Sequence, residues 1–266
     1  GLTATSATPV PTDTPAPANP PEDRDYVGAT GIPIQVTVDT GKTVSGNGLA
    51  VSNTGVGGVT VTNGGTISVD AGNTPTKGGT AALAIKSSGG PIVYTGGDII
   101  NNGSGNALDA AQIAGAGSTT INVTGNIFAA AGEGITVRDV TTSTGISVTT
   151  DGAVTALSGG KDGIDVQAQS LTGNVTIVAN GDIKAGNAGI VGAILQGAAT
   201  GNIDVTANGA IDARFGIDAE NFGSGNTTVK TVGPVTVTTG NGIFALATGG
   251  NVKVTAGDVT ADSNTA

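Results

Sequence analysis

The side chains of this sequence best placed to do chemistry are carboxylates in the last third of the chain. Asp204, Asp212, Asp218 and Glu220 stand at alternating positions of segments that read as β-strands, with Arg214 among them. Residues two apart on a strand point to the same face, so Asp218 and Glu220 are expected side by side. Such a pair is suited to bind Ca²⁺, with Asp212 as a further ligand, or to act as general acid and base on a polysaccharide.

A plainer interpretation, which the composition favours, is a solvated acidic face that discourages lateral association. The chain has no His, the commonest general base and a usual zinc ligand, and no Cys. Its aromatic residues are two Tyr and four Phe, few for a sugar-cleaving groove. Phe215 and Phe222 flank the strand of Asp218, where filling a corner under a loop is favoured over a binding patch. We therefore predict no catalytic residue and no cofactor, with Ca²⁺ at Asp212, Asp218 and Glu220 as the weaker alternative.

These residues belong to a repeat that runs through most of the chain. Each copy has an alternating apolar strand, a turn ending in Gly, a second strand of the form G-x-[IV], and a third strand opened by Gly-Ile. The glycines that open the second strand span 216 positions in eight intervals, or 27 residues per repeat. A repeat of this length with short strands predicts a solenoid. The nine glycines are Gly41, Gly65, Gly97, Gly125, Gly152, Gly181, Gly209, Gly233 and Gly257.

The predicted fold is all-β, a right-handed parallel β-helix of about nine coils with three short strands each. The first strand carries apolar residues at positions i and i+2, as in Val59 and Val61 or Ile203 and Val205. This alternation turns one face inward and leaves Thr, Asn and Asp outward. Turn glycines, often preceded by Asn, are expected to allow positive φ at the corners. One coil cannot bury its inner face, whereas stacked coils bury it against each other.

Three regions follow from the pattern. Residues 1–25 contain most of the ten prolines and no apolar alternation, which indicates a disordered Pro-rich tail. Residues 26–46 hold an N-terminal cap, placed at Tyr26 to Ile34, and the first coil. Residues 47–266 form the remaining coils, open at the C-terminal end because TADSNTA (260–266) stops before the next Gly-Ile strand. We expect this open coil to continue in a longer chain or to stack end to end on another molecule.

The charge balance excludes several classes of partner. The net charge is −10 with a sequence pI near 4.1, and the ten basic residues are scattered. Nucleic-acid binding needs clustered Lys and Arg to neutralise phosphates, and anionic membrane surfaces need the same. No segment approaches the ~20 apolar residues of a spanning helix. We therefore predict no nucleic-acid partner and no direct membrane contact.

Several repeat phrases, behind the Pro/Thr/Ala-rich start, resemble the passenger region of autotransporters from alphaproteobacteria. The resemblance covers about residues 26–266 and implies export and display on the outer-membrane surface of a Gram-negative bacterium. In that family a C-terminal outer-membrane barrel provides the anchor. No segment here has the alternating strands and aromatic girdles of a barrel, so we expect any membrane attachment to depend on residues outside this sequence. The phrases are VTVTNGGTISVDAG (59–72), TGNIFAAAGEGITV (124–137), TDGAVTALSGGKDGIDV (150–166) and ANGAIDARFGIDA (207–219).

Two functions from different classes are compatible with the sequence. The favoured one is a secreted or cell-surface β-helix with a structural and adhesive role, part of a larger passenger or a fibre, which contacts glycans or other cell surfaces. The alternative is a polysaccharide-active β-helix enzyme, a lyase or glycosidase, that uses the carboxylates of residues 201–225.

Overall fold

Each coil of the chain contributes three parallel strands, as the repeat predicts. The structure, a computed structural model, describes residues 2–5, 25–29, 31–75, 80–140 and 142–261. Strands of successive coils pair in register and form three ladders of nine strands. Ile34 and Val252, at equivalent places in the first and last strands of one ladder, are 218 positions apart, so eight turns average about 27 residues. The described residues therefore form a parallel β-solenoid.

The first and second ladders belong to one sheet, sheet A, because two long strands run through both of them. These strands, β6 (Val59–Val69) and β8 (Ile92–Asn101), have 11 and 10 residues and continue where later coils have a corner. The first ladder consists of β3 (Ile34–Val38), β6 (Val59–Val69), β8 (Ile92–Asn101), β10 (Thr119–Val123), β13 (Gly145–Thr150), β16 (Asn174–Ala179), β19 (Ile203–Ala207), β22 (Thr227–Thr231) and β25 (Val252–Thr255).

The second ladder of sheet A contains the short strands that follow the repeat glycines. It starts at β4, which pairs with the second half of β6. After the second half of β6, the ladder continues through the second half of β8 and then through one short strand per coil. The short strands of this ladder are β4 (Thr43–Val44), β11 (Ile127–Ala129), β14 (Val154–Ala156), β17 (Ile183–Ala185), β20 (Ile211–Ala213), β23 (Val235–Val237) and β26 (Val259–Ala261).

The third ladder is a separate sheet, sheet B, and closes each coil. Parallel crossovers are right-handed in nearly all proteins, and the arrangement is consistent with the predicted right-handed β-helix. In the described part of the chain no helix is long and apolar enough to cross a membrane. The strands of sheet B are β2 (Asp25–Gly28), β5 (Leu49–Asn53), β7 (Ala81–Ser87), β9 (Asn106–Gln112), β12 (Ile135–Arg138), β15 (Ile164–Ala168), β18 (Ala188–Ile194), β21 (Phe215–Asn221) and β24 (Ile243–Ala247).

The N-terminal end differs from the prediction of a free tail. Strand β1 (Leu2–Thr5) pairs antiparallel with β3, so these residues cover the first edge of sheet A. Tyr26, the start of the predicted cap, lies in β2, which is the first strand of sheet B. Residues 6–24 and 262–266, the remaining tail and the end of the predicted open coil, lie outside the described residues. β1 pairs with backbone groups at the edge of β3 that would otherwise be exposed, which is the physical reason for a strand at this position.

The core is an aliphatic column inside the three ladders. The predicted inward pairs are buried, for example Val59, Val61, Ile203 and Val205, each at 0–1% exposure. Tyr94 is the largest fully buried side chain, and its hydroxyl donates to the carbonyl oxygen of Gly97 at 3.1 Å. Burial raises the pKa of Tyr94 well above its ordinary value. The alternation of the first strand therefore fills the interior, as the sequence predicts.

The repeat glycines allow successive coils to stack closely. The sequence suggested a different reason for them, a positive φ at the corners. Of the nine glycines that open the second strand, only Gly41 has a left-handed φ, +69°. At most of the others an added Cβ would overlap backbone atoms of the preceding coil, as Gly181 would with the carbonyl oxygen of Gly152. Two further glycine columns show the same crowding at the other corners. They are Gly90, Gly117, Gly173, Gly201, Gly225 and Gly250, and Gly134, Gly163, Gly189 and Gly216.

Buried asparagines close several corners from the inside. The carboxamide of Asn221, fully buried, donates to the carbonyl oxygen of Gly201 at 2.9 Å and accepts the Gly223 N–H at 2.9 Å. Asn53 and Asn101 accept the N–H two residues later in the same way. These bonds satisfy backbone groups that the turn removes from the ladders. The motif N-x-G at a strand end therefore marks an internal corner.

We expect Gly181→Ala to lower the free energy of unfolding by about 1–3 kcal/mol, because the new methyl group overlaps the backbone of the preceding coil. Gly159→Ala is the matched control, since no atom lies within 4 Å of an added Cβ there and its φ is not left-handed. Urea denaturation followed by circular dichroism measures both. Equal stability of the two variants would contradict the close-stacking role.

Candidate functional site

The structure brings together two of the three predicted metal ligands. Asp218 and Glu220 lie on the same outer face of β21, as the alternation predicts. Asp212 lies on β20 of sheet A, where its carboxylate is exposed and is 3.9 Å from the Lys184 ammonium. The three carboxylates are not a group whose oxygen atoms lie within 4.8 Å of one another. The fold thus separates Asp212 from the other two because the corner after β20 turns the chain onto sheet B.

Asp218 and Glu220 line a surface groove of about 370 Å³, which we call the Phe215 groove. The rings of Phe215 and Phe244 and the side chain of Val191 contribute apolar walls. The Phe215 ring packs against Gly240, where an added Cβ would overlap it. Phe222, the other aromatic residue that flanks β21, is 38% exposed and does not line this groove.

The carboxylate of Asp218 has no polar partner within the described residues. Its Oδ1 atom is buried without a hydrogen bond. In sheet B it stands between Val191 of the coil before and Phe244 of the coil after, neither of which can donate a hydrogen bond from its side chain. Burial, followed by the charges of Glu220 and Asp162, raises the pKa of Asp218 to about 6. A carboxyl group with this pKa changes charge close to neutral pH.

A second acidic group, whose three residues the sequence pattern alone does not bring together, lies next to the groove. Glu133, Asp162 and Asp165 come from successive coils and have carboxylate oxygens within 4.8 Å of one another. Asp165 forms a 2.7 Å ion pair with Arg138, and burial raises the pKa of Asp165 although Arg138 opposes the shift. Only the register of the coils reveals this group, since Asp165 stands in the column of Asp218 two coils earlier.

The second acidic group is already supplied with hydrogen-bond donors. The Thr136 hydroxyl donates to Glu133 at 2.6 Å, and the Asn187 amide donates to Asp162 at 2.8 Å. Four of the six carboxylate oxygens, Glu133 Oε2, Asp162 Oδ1 and both oxygens of Asp165, already accept hydrogen bonds from the protein. The arrangement therefore fits a network that ties neighbouring coils together.

The fold and the site together place the chain in the class of parallel β-solenoids. Comparison with protein-family models, with curated proteins and with solved structures finds no match. The class is therefore established by the architecture, and the likeness to autotransporter passengers stays a prediction from the repeat phrases.

We expect Asp218→Asn to raise the melting temperature more at about pH 7.5 than at about pH 4.5. The raised pKa means that the folded state binds the proton more tightly than the unfolded state, so the stability that Asp218 contributes is greatest at low pH and is lost as the pH rises through about 6. Asn mimics the neutral form at every pH. Thermal denaturation across this pH range measures the difference.

Asp212→Asn is the control for this titration, because it removes one exposed carboxylate from sheet A and leaves the groove intact. The melting-temperature difference between this variant and the original protein should change little over the same pH range. If both substitutions gave the same pH dependence, the buried position of Asp218 would not be its source.

Proposed function

We propose that this chain is the β-helical shaft of a secreted or cell-surface protein with a structural and adhesive role. The observation that carries the proposal is the outer face of the first ladder, which we call the hydroxyl face. Two columns of mainly hydroxyl and amide side chains follow it in register, with one residue of each column per coil. The columns are Gln35, Thr60, Val93, Thr120, Ser147, Thr176, Asp204, Thr228 and Lys253, and Thr37, Thr62, Thr95, Asn122, Thr149, Val178, Thr206, Lys230 and Thr255.

The hydroxyl face has the properties of a surface for many weak polar contacts. With strands about 4.8 Å apart, nine coils extend it over a length on the order of 40 Å. Each Thr offers a hydroxyl group that donates and accepts, which matches the hydroxyl groups of glycans. Contacts that are weak singly become strong when many copies engage together. Glycans and other cell surfaces are therefore the partners that we propose.

The location that we propose is extracellular, on the outer-membrane surface of a Gram-negative bacterium. The support is the resemblance of the repeat phrases to autotransporter passengers, together with a sequence without Cys that suits passage through an oxidising space.

The last described coil supports a role within a longer assembly. Val252, Val254 and Val259 are 46–47% exposed, whereas Val229 and Val235, their neighbours in the coil before, are buried. We propose that further coils of the same chain, or an end-to-end contact with a second copy, cover this face. Such a contact between unlike ends does not close on itself and would give a filament.

Adhesion can be tested with beads that carry many copies of the protein. We expect the beads to be retained on glycan arrays or cell layers, and the combined Thr120→Ala, Thr149→Ala and Thr176→Ala substitutions to reduce retention by roughly tenfold, because the loss is multiplied over many contacts. The control removes three outward Thr residues of the second ladder, Thr155, Thr236 and Thr260. Equal retention of all three proteins, or none, would contradict the role of the hydroxyl face.

A second candidate function is polysaccharide cleavage, favoured by the pKa of Asp218. A carboxyl group with a pKa of about 6 suits a general acid, and Glu220 on the same face is a candidate for the second carboxylate. If this function holds, Asp218→Asn should lower the release of sugar products by a hundredfold or more without loss of folding, whereas Asp212→Asn should not. Reducing-end assays on neutral and acidic polysaccharides measure this, and absence of turnover in the original protein would exclude it for those substrates.

A further inference from the structure

One column of sheet B contains the same carboxylate in two different environments. Asp165 on β15 and Asp218 on β21 occupy equivalent outward positions, two coils apart, with Val191 between them. Asp165 accepts hydrogen bonds from Arg138 at 2.7 Å and from Gln167 at 3.2 Å. The protein thus shows how this position satisfies a carboxylate when the partners come from its own chain.

At Asp218 both partner positions hold residues that cannot play this role. The two partners of Asp165 pair with each other in sheet B, with Arg138 one coil before Gln167. At the equivalent positions around Asp218, Ala193 replaces Arg138 and Glu220 replaces Gln167. The position of the cation is therefore occupied by a methyl group, and the position of the amide donor by a second carboxylate. Ala193 is buried and lies outside the lining of the Phe215 groove, which opens onto Asp218 and Glu220.

The groove walls favour an organic cation over a metal ion. Phe215 and Phe244 present aromatic rings beside the two carboxylates, and rings attract ammonium and guanidinium groups through their faces. Ca²⁺ would need several more oxygen ligands than Asp218 and Glu220 supply. The Arg214 guanidinium already lies over Phe215, 5.2 Å from the ring centroid, and donates to the Thr239 hydroxyl, so it does not neutralise the pair.

We propose that the Phe215 groove binds an organic cation, a primary ammonium or guanidinium group, with Asp218 and Glu220 as its counter-ions and Phe215 and Phe244 as its aromatic walls. The ligand group supplies to Asp218 the positive charge that Arg138 supplies to Asp165. Charged hydrogen bonds to a desolvated carboxylate are among the stronger polar contacts in proteins, and they select for charge over shape. This site is on sheet B and does not depend on the adhesive role of the hydroxyl face.

The charged groups around the groove set the pH at which the cation binds. Glu220 on the same strand and Asp162 in the turn before β15 add negative charge, while Arg214 before β21 adds one positive charge at the rim. Because Asp218 loses its proton near pH 6, binding should strengthen between about pH 5 and pH 7.

Two pairs of probes separate charge from shape and distinguish the sources of the cation. Argininamide is compared with citrullinamide, in which a neutral urea replaces the guanidinium, and glucosamine is compared with N-acetylglucosamine, in which an amide replaces the ammonium. Titration calorimetry or NMR shift changes on the full chain give the Kd. We expect the charged member of at least one pair to bind at least tenfold more tightly than its neutral partner.

Three variants locate the binding. Asp218→Asn should weaken the binding of the charged probe at least tenfold, and Ala193→Arg should do the same by supplying the cation that the groove lacks. Asp212→Asn, on the other sheet, should leave the Kd unchanged. Folding of each variant is checked by its melting temperature, and Asp218→Asn alone suffices if Ala193→Arg does not fold.

Each result decides the proposal. Binding of argininamide only would point to a guanidinium ligand and binding of glucosamine only to an amino sugar, and both support a cation site. Equal binding of charged and neutral members would mean a site for neutral sugars or amides, and Ca²⁺ binding that Asp218→Asn abolishes would mean a metal site. Either of these, or no binding of any charged probe, overturns the proposal. Loss of bead adhesion in the hydroxyl-face variant would affect none of these outcomes.

Discussion

Close contact between the backbones of successive coils is the constraint on which this structure depends. Three corners bring the main chain of one coil against the carbonyl groups of the next, and columns of glycine make that approach sterically allowed. The ladders then bury the aliphatic column from Ile34 to Val237, in which Tyr94 is the one aromatic residue among the described residues. Because close contacts fix the corners, the coils vary in length at their loops. The side chains at the outward positions of the strands are free to vary in chemistry.

The freedom of the outward positions explains why the chemical features lie on the faces of the solenoid. On sheet A the outward columns carry hydroxyl groups and isolated charges, such as Asp212 beside Lys184. On sheet B the turns before the strands shield part of the outer face, so that Asp165 is buried although it points outward. Partial shielding supplies the desolvation that raises the pKa values of Asp165 and Asp218. A polar face and a shielded groove thus arise from one repeat.

The fold can be predicted closely from the sequence because the same alternation recurs in every coil. Where the pattern of one coil is ambiguous, the neighbouring coils resolve it. The role of the repeat glycines could not be predicted from the sequence, because contact between coils depends on how the coils stack and not on local φ preference. From the sequence alone Gly181 looks like a turn residue, whereas in the structure it lies against the carbonyl oxygen of Gly152. Asp218 and Glu220 were found because they share a strand. The structure places Asp212 apart from them, on β20 of sheet A, because a corner whose angle the sequence does not give separates β20 from β21. Glu133 and Asp162 could not be found without the register of the coils.

Because of strand β1, the two ends of the solenoid differ in the strand edge that they offer to a partner. Its four residues run against the direction of every other strand of sheet A, so the edge of β3 is occupied by a partner that no coil can imitate. A second molecule that docked its last coil there would first have to displace Leu2–Thr5. Because every end-to-end contact joins one first coil to one last coil, β1 would have to leave β3 before two copies could stack through this edge.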